Sequence, residues 1–74
     1  MNNFFLDCLG LRCPDPLTMI RSKMRTLNIG DTLEVLSDDP VSQRDIPAYC
    51  KFMGHELTQG CDNNQYKYNI TKCK

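Results

Sequence analysis

From Pro16 onward, Leu17, Ile20, Met24 and Leu27 recur at intervals of three and four residues, while Arg21, Lys23 and Arg25 fall elsewhere. A stripe of that period is one face of an amphipathic helix, and it needs an apolar surface to lie on. The surface has to come from the same 74-residue chain, which is near the lower size limit for a core held without metal or disulfide. The flanking segments supply it. "FFLDCL" (4–9) is short and β-rich, with Phe4, Leu6 and Cys8 on one side and Phe5, Asp7 and Leu9 on the other. "TLEVLS" (32–37) sets Leu33 and Val35 against Glu34 and reads as a second strand, with Gly30 closing the helix and Asp31 in the turn between them.

"DDP" (38–40) breaks the second strand. A proline deep inside a helix kinks it, so Pro47 is expected in a first turn. A second helix is therefore predicted from about Ile46 to Met53, with Asp45 near its cap, Gly54 as its stop and Val41 to Arg44 as a separate turn. "HELTQGC" and "QYKYNITK" flank "DNN" as a hairpin in which Tyr66, Tyr68 and Ile70 share a face. The order is β-α-β-α-β-β. Strand-helix-strand units imply parallel neighbours with right-handed crossovers, and the hairpin adds an antiparallel pair. Two helices cannot cover both faces of a four-stranded sheet in so short a chain. The predicted fold is thus an α/β (α+β) two-layer sandwich, a mixed four-stranded sheet with two helices on one face, forming one domain over 1–74. The pattern leaves strand order open.

Nine Lys and Arg balance nine Asp and Glu, and the sequence pI is about 6.5. Direct, tight nucleic-acid binding is disfavoured by that balance. "MNNFFLDC" has no basic segment ahead of its apolar residues, and the apolar run is too short for a signal peptide or a membrane span, so a cytoplasmic location is expected. The five cysteines (Cys8, Cys13, Cys50, Cys61, Cys73) are odd in number. In a reducing compartment they point to free thiols, metal ligands or redox chemistry rather than a disulfide framework. The closest pair, Cys8 and Cys13, lacks zinc-type spacing and His55 is the single histidine, so no metal or other cofactor is expected.

Cys13 stands apart. In "RCPDP" it precedes Pro14, and Asp15 precedes Pro16, and a residue before proline is pushed out of the α region. Either Asp15 caps a helix that starts at Pro16, or the helix starts at Pro14 and Cys13 is itself the cap. Both arrangements leave the sulfur at the positive end of the helix dipole. That position stabilises an anion by about 0.3 to 1 kcal/mol, against about 1.4 kcal/mol per pKa unit. The thiol is expected to be moderately acidified, with Arg12 helping and Asp15 opposing. An attacking thiolate loses nucleophilicity as its pKa falls, so moderate acidity suits a group that both accepts and gives up sulfur.

The other thiols read as ordinary. Cys50 lies on the apolar face of the second helix and Cys8 on the strand face shared with Leu6, so both are expected in the core. A resolving role for Cys8 would need the turn at Gly10 to bring it beside Cys13. Cys61 and Cys73 are expected at the surface. His55, at the far end of the second helix, is read as a surface residue, which removes the base that Cys-His hydrolysis requires. Arg21, Lys23 and Arg25 form a solvated helix face that can also steer an acidic partner, and Arg44 and Asp45 are expected to organise the loop ahead of the second helix.

"LDCLGLRCPDP", followed by "SDDP", "RDIPAYCKFMGHEL" and "YKYNI", resembles the TusA/SirA/YedF family of small sulfur carriers, and its TusA branch in particular, over about Leu6 to Ile70. Cys8 departs from the small apolar residue expected there. The resemblance implies a two-layer fold similar to the C-terminal domain of a bacterial translation initiation factor. It also implies that Cys13 holds a persulfide received from an IscS-like cysteine desulfurase and relays it to a TusBCD-like complex, for 2-thiolation of the tRNA wobble uridine. Sulfur supply to molybdenum cofactor assembly is a side role within the family. Such a protein is a carrier performing half-reactions rather than an enzyme with its own turnover. The resemblance makes Cys13 the expected persulfide site, with Arg12, Pro14, Asp15 and Pro16 expected to support it. Two other functions compete: an RNA-binding or regulatory adaptor, against which the charge balance counts, and a redox switch closing Cys8 onto Cys13.

Overall fold

The structure, a computed structural model, describes residues 2–12 and 15–74. Cys13 and Pro14 lie outside the described residues. The elements run β1 (Asn3–Cys8), α1 (Asp15–Thr26), β2 (Thr32–Ser37), α2 (Ser42–Met53), β3 (Glu56–Asp62) and β4 (Gln65–Thr71). They make one four-stranded sheet in the order β1-β2-β4-β3. β1 and β2 are parallel, with Asn3 opposite Thr32 and Cys8 opposite Ser37. β4 runs antiparallel to both β2 and β3. The mixed sheet with both helices on one face is the predicted architecture, and it adds the strand order that periodicity could not fix.

The alternation read from the sequence decides what is buried. Cys8, Leu33, Val35, Tyr68 and Ile70 project from one face of the sheet and meet Ile20 and Met24 of α1 and Ile46 and Cys50 of α2. Leu27, one residue beyond α1, is also in this core. Ile20, Leu33, Ile46 and Ile70 are fully enclosed, each contributing about 1.5 to 3 kcal/mol relative to exposure. The opposite face carries half-buried Glu34 and Asn69 and an exposed Phe5. The hairpin between β3 and β4 is tighter than "DNN" suggested: Asp62 pairs with Gln65, and the turn is Asn63 and Asn64, both with positive φ (51° and 62°). Two left-handed residues match the right-handed twist of the strands, and asparagine tolerates that conformation.

The second helix corrects the sequence reading. It begins at Ser42, not near Ile46, so Val41 to Arg44 are not a separate turn and Pro47 lies inside the helix. Arg44 and Asp45, expected in a preceding loop, are helical and pair with each other at 3.4 Å. Two features make the earlier start hold. Ser42 Oγ donates to Asp39 O at 2.6 Å and is 2.8 Å from Tyr68 Oη, a buried anchor for the first turn. Pro47 has no N–H for the carbonyl four residues back, but that residue, Gln43, is exposed, so water can take the vacant acceptor. Gly54 (φ 76°) ends α2 as expected, its N–H meeting the Cys50 and Lys51 carbonyls.

The end of the sheet where β1 and β2 start is knitted together. Asp31, 4% exposed, accepts the Asn2 N–H at 3.1 Å and the Asn28 N–H at 2.9 Å on its two carboxylate oxygens. Lys72 and Asp31 join the end of β4 to this turn through Lys72 N–H to Asp31 O at 2.9 Å. The Lys72 ammonium donates to Met24 O and Leu27 O at 2.9 and 2.8 Å, capping the carbonyl end of α1.

Candidate functional site

At the opposite end, where β1 and β2 finish side by side, the chain leaves each strand and enters a helix N-terminus. Parallel strands followed by helices put both positive dipole ends at the carboxyl edge of the sheet, the region where open α/β folds place their ligands. The segment after β1 is a tight turn. Leu9 N–H bonds Asp7 Oδ1 at 2.9 Å, Gly10 takes φ 81°, and Leu11 N–H returns to Cys8 O at 3.2 Å. Asp15 N–H donates to Arg12 O at 2.9 Å, so the residues on either side of Cys13 and Pro14 are one hydrogen bond apart.

Of the residues singled out in the sequence, Cys13 and Pro14 fall outside the described residues, and the other three have distinct surroundings. Asp15 is exposed and already lies within α1 rather than capping it, and the alternative start at Pro14 falls outside the described residues. Pro16 is buried at the second helical position, lining with Leu17 a narrow cleft against Asp39, Ser42, Asp45 and Ile46 of the neighbouring loop and α2. Arg12 is 62% exposed and is already paired: its Nη1 donates to Asp38 Oδ1 at 2.8 Å and to Leu11 O at 3.0 Å.

Asp38 is the site residue that the sequence reading missed, having treated "DDP" as a strand breaker and "SDDP" as part of the family resemblance without giving Asp38 a role. It lies just past β2, and the Oδ1 that holds Arg12 also accepts the Gly10 N–H at 3.0 Å. These contacts, the Gly10 amide first and the Arg12 guanidinium second, hold its carboxyl below the usual range. Asp38 is 26 and 28 residues from its partners, and nothing local in the sequence announces so distant a pairing.

Three of the remaining thiols sort as the sequence predicted, and Cys73 is more enclosed than the surface position expected for it. Cys8 is fully buried, and burial first, with Asp7 second, raises its pKa. Cys50 is 2% exposed and burial pushes it up to about 11. Cys61 is exposed and Cys73 half-buried. His55 stacks at a tilt on Tyr49 with ring centroids 6.1 Å apart and accepts the Cys73 N–H on Nδ1 at 3.3 Å. It links the junction of α2 and β3 to the segment after β4.

With this geometry in view, the comparison with known families is decisive: the family model for the sulfurtransferase TusA matches residues 4–72. The chain belongs to the TusA family. It shares with that family a sulfur-carrying, sulfur-transferring role within relays of sulfur-transfer proteins. A SirA-like protein from Desulfitobacterium hafniense has the same fold, with a TM-score of 0.85 over 96% of this chain and 99% of that one, at 23% identity. No helix among the described residues is long and apolar enough to cross a membrane. In TusA terms, the described half of the Cys-Pro-x-Pro segment, Asp15 and Pro16, opens α1, and Arg12 precedes the segment at the carboxyl edge of the sheet.

Proposed function

We propose that this TusA-family chain is a one-domain sulfur carrier whose Cys13 accepts a persulfide sulfur from an IscS-like cysteine desulfurase and passes it to a TusBCD-like acceptor. The sulfur is destined for the 2-thio group of the tRNA wobble uridine. The observation that carries this reading is the family match across residues 4–72, which takes in the whole Cys-Pro-x-Pro segment, residues 13–16. The chemistry needs no added oxidant. The Cys13 thiolate attacks the outer sulfur of the donor persulfide, a new S–S bond forms on Cys13, the donor S–S bond breaks, and the donor cysteine leaves as thiolate. Onward transfer repeats the exchange, with Cys13 as leaving group. Each step trades one S–S bond for another, so the protein's part is access and partner fit.

Partner fit has a surface to act through. Leu17 and Asp45 extend from the helix N-termini into an open cleft of about 470 Å³ between α1 and α2, lined also by Arg21, Tyr49, Phe52 and Met53. Phe52 is 87% exposed and Met53 41%, an apolar patch with a cation at its edge that suits a protein partner. Cys8, enclosed and with its pKa raised, does not suit a redox switch. The nine-to-nine charge balance likewise disfavours an RNA-binding adaptor.

Incubation with a cysteine desulfurase, its pyridoxal phosphate and cysteine, followed by intact mass and peptide mapping, tests the proposal. One sulfur atom is expected on the peptide containing Cys13. None is expected in Cys13→Ser, whose circular dichroism should match the parent. Sulfur on another cysteine, or on none, overturns it.

A further inference from the structure

The chain has a single histidine, and it stands at the Asp31 end of the sheet, where α2 turns into β3. His55 N–H donates to Cys50 O at 2.9 Å, which fixes its backbone on the last turn of α2. Its ring lies against Tyr49, and its Nδ1 accepts the Cys73 N–H at 3.3 Å. Cys73 follows Lys72, whose own N–H and carbonyl are taken by Asp31 and Gly30. The bond to His55 is the next link, drawing the segment after β4 onto the junction of α2 and β3. In this arrangement Cys73 is half-buried, and its thiol donates to Thr71 O at 3.4 Å.

An imidazole nitrogen accepts a hydrogen bond only while it carries no proton. The surroundings favour that form. Burial acts first and the Lys72 and Lys74 ammoniums next, and together they bring the His55 pKa beneath the ordinary 6.5. The Lys74 side chain lies close over Gly54, where a Cβ would meet its Cε and Nζ at 3.0 Å. Tyr49 on α2 opposes these groups, since an aromatic ring attracts a cation. Glu56, the next residue on β3, is exposed.

We propose that His55 is a pH-operated latch that holds the Cys73 backbone against the junction of α2 and β3 at neutral pH and releases it, with the Cys73 thiol, in mild acid. Protonation of Nδ1 turns the acceptor into a donor facing the Cys73 N–H, and it sets a further positive charge beside Lys72 and Lys74. The bond is replaced by repulsion. Because the folded pKa is lowered, the latch is complete above pH 6.5 and is lost as pH falls through the folded value. A thiol that is half-buried at neutral pH is thereby presented to solvent in acid. The device does not depend on which cysteine carries sulfur.

The test treats the full chain with dithiodipyridine, an aromatic disulfide that modifies thiols in acid as well as at neutral pH, and reads each cysteine by peptide mapping. The rate at Cys73 is divided by the rate at exposed Cys61, so that the pH dependence common to thiols cancels. Between about pH 7.5 and about pH 5 this ratio is expected to rise about threefold, the equilibrium weight of one hydrogen bond of ordinary strength. The midpoint of the rise should coincide with the His55 ring titration followed by proton NMR. In His55→Phe, which keeps a ring beside Tyr49 but has no acceptor, the ratio should be high at both pH values and no longer change. A parent ratio that does not rise, a rise that survives in His55→Phe, or a midpoint apart from the ring titration overturns the proposal. So does modification of Cys8 and Cys50 in step with Cys73, which marks opening of the whole core. Should His55→Phe fail to fold by circular dichroism, the two midpoints in the parent decide alone: coincidence supports the latch and separation overturns it.

Discussion

The two ends of the sheet are built differently. At the end where β1 and β2 begin, buried Asp31 gathers two backbone amides, Lys72 ties the last strand to the same turn, and its ammonium caps α1. At the end where they finish, the described cross-link between the two loops is one half-buried carboxylate, Asp38, with an exposed arginine. Exposed pairs add little stability, whereas enclosed polar groups are costly to leave without partners. The contrast teaches a division of labour. Among the described residues, the fold is secured more heavily at the Asp31 end than at the Asp38 end.

That contrast can be broken experimentally. The largest effect is expected from Asp31→Ala, which strands the Asn2 and Asn28 amides. It should lower the melting temperature clearly while sulfur loading per folded molecule is unchanged, and equal stability would refute the asymmetry. The pH dependence follows the sign of the Asp31 shift. Its hydrogen bonds to the Asn28 and Asn2 amides, in that order, lower its folded pKa beneath the ordinary 3.8. Its contribution is therefore complete above that value and is lost as pH falls through the folded pKa. Melting followed into acid should show this decline in the parent and less of it in Asp31→Asn.

A smaller effect is expected from Lys72→Met, which keeps the apolar stem but leaves the Met24 and Leu27 carbonyls uncapped. A loss of about 1 kcal/mol in urea unfolding is the predicted size. Smaller still, and kinetic rather than energetic, is the order of thiol modification. Under native, mildly alkaline conditions Cys61 and Cys73 should alkylate ahead of Cys8 and Cys50, which react only as the chain opens, because burial raises both of the latter. Rapid native modification of Cys50 would show that the core breathes far more than its packing implies.

Where the sequence was legible, the signal was local. The stripe at Leu17, Ile20 and Met24 and the alternation at Leu33 and Val35 each state which side is buried, and the structure buries Ile20, Met24, Leu33 and Val35. Pro47 misled because its penalty is a rule about an isolated helix, while Ser42 finds its anchor on Tyr68, 26 residues away in β4. Asp38 was missed for the same reason, its partners lying in the loop of another strand. The strand order β1-β2-β4-β3 depends on which edges meet after collapse, and no periodicity within a single strand carries that information.

The knitted end has a practical corollary. Asn2 bonds to Asp31 and Thr32, and Lys72 bonds to Asp31 and Gly30, so the polypeptide enters and leaves the fold at the same pole, remote from the Gly10 to Arg12 turn. An affinity handle, a fluorophore or a tether to a sensor surface attached beside Asn2 or Lys72 would hang on that pole and leave the opposite one unobstructed.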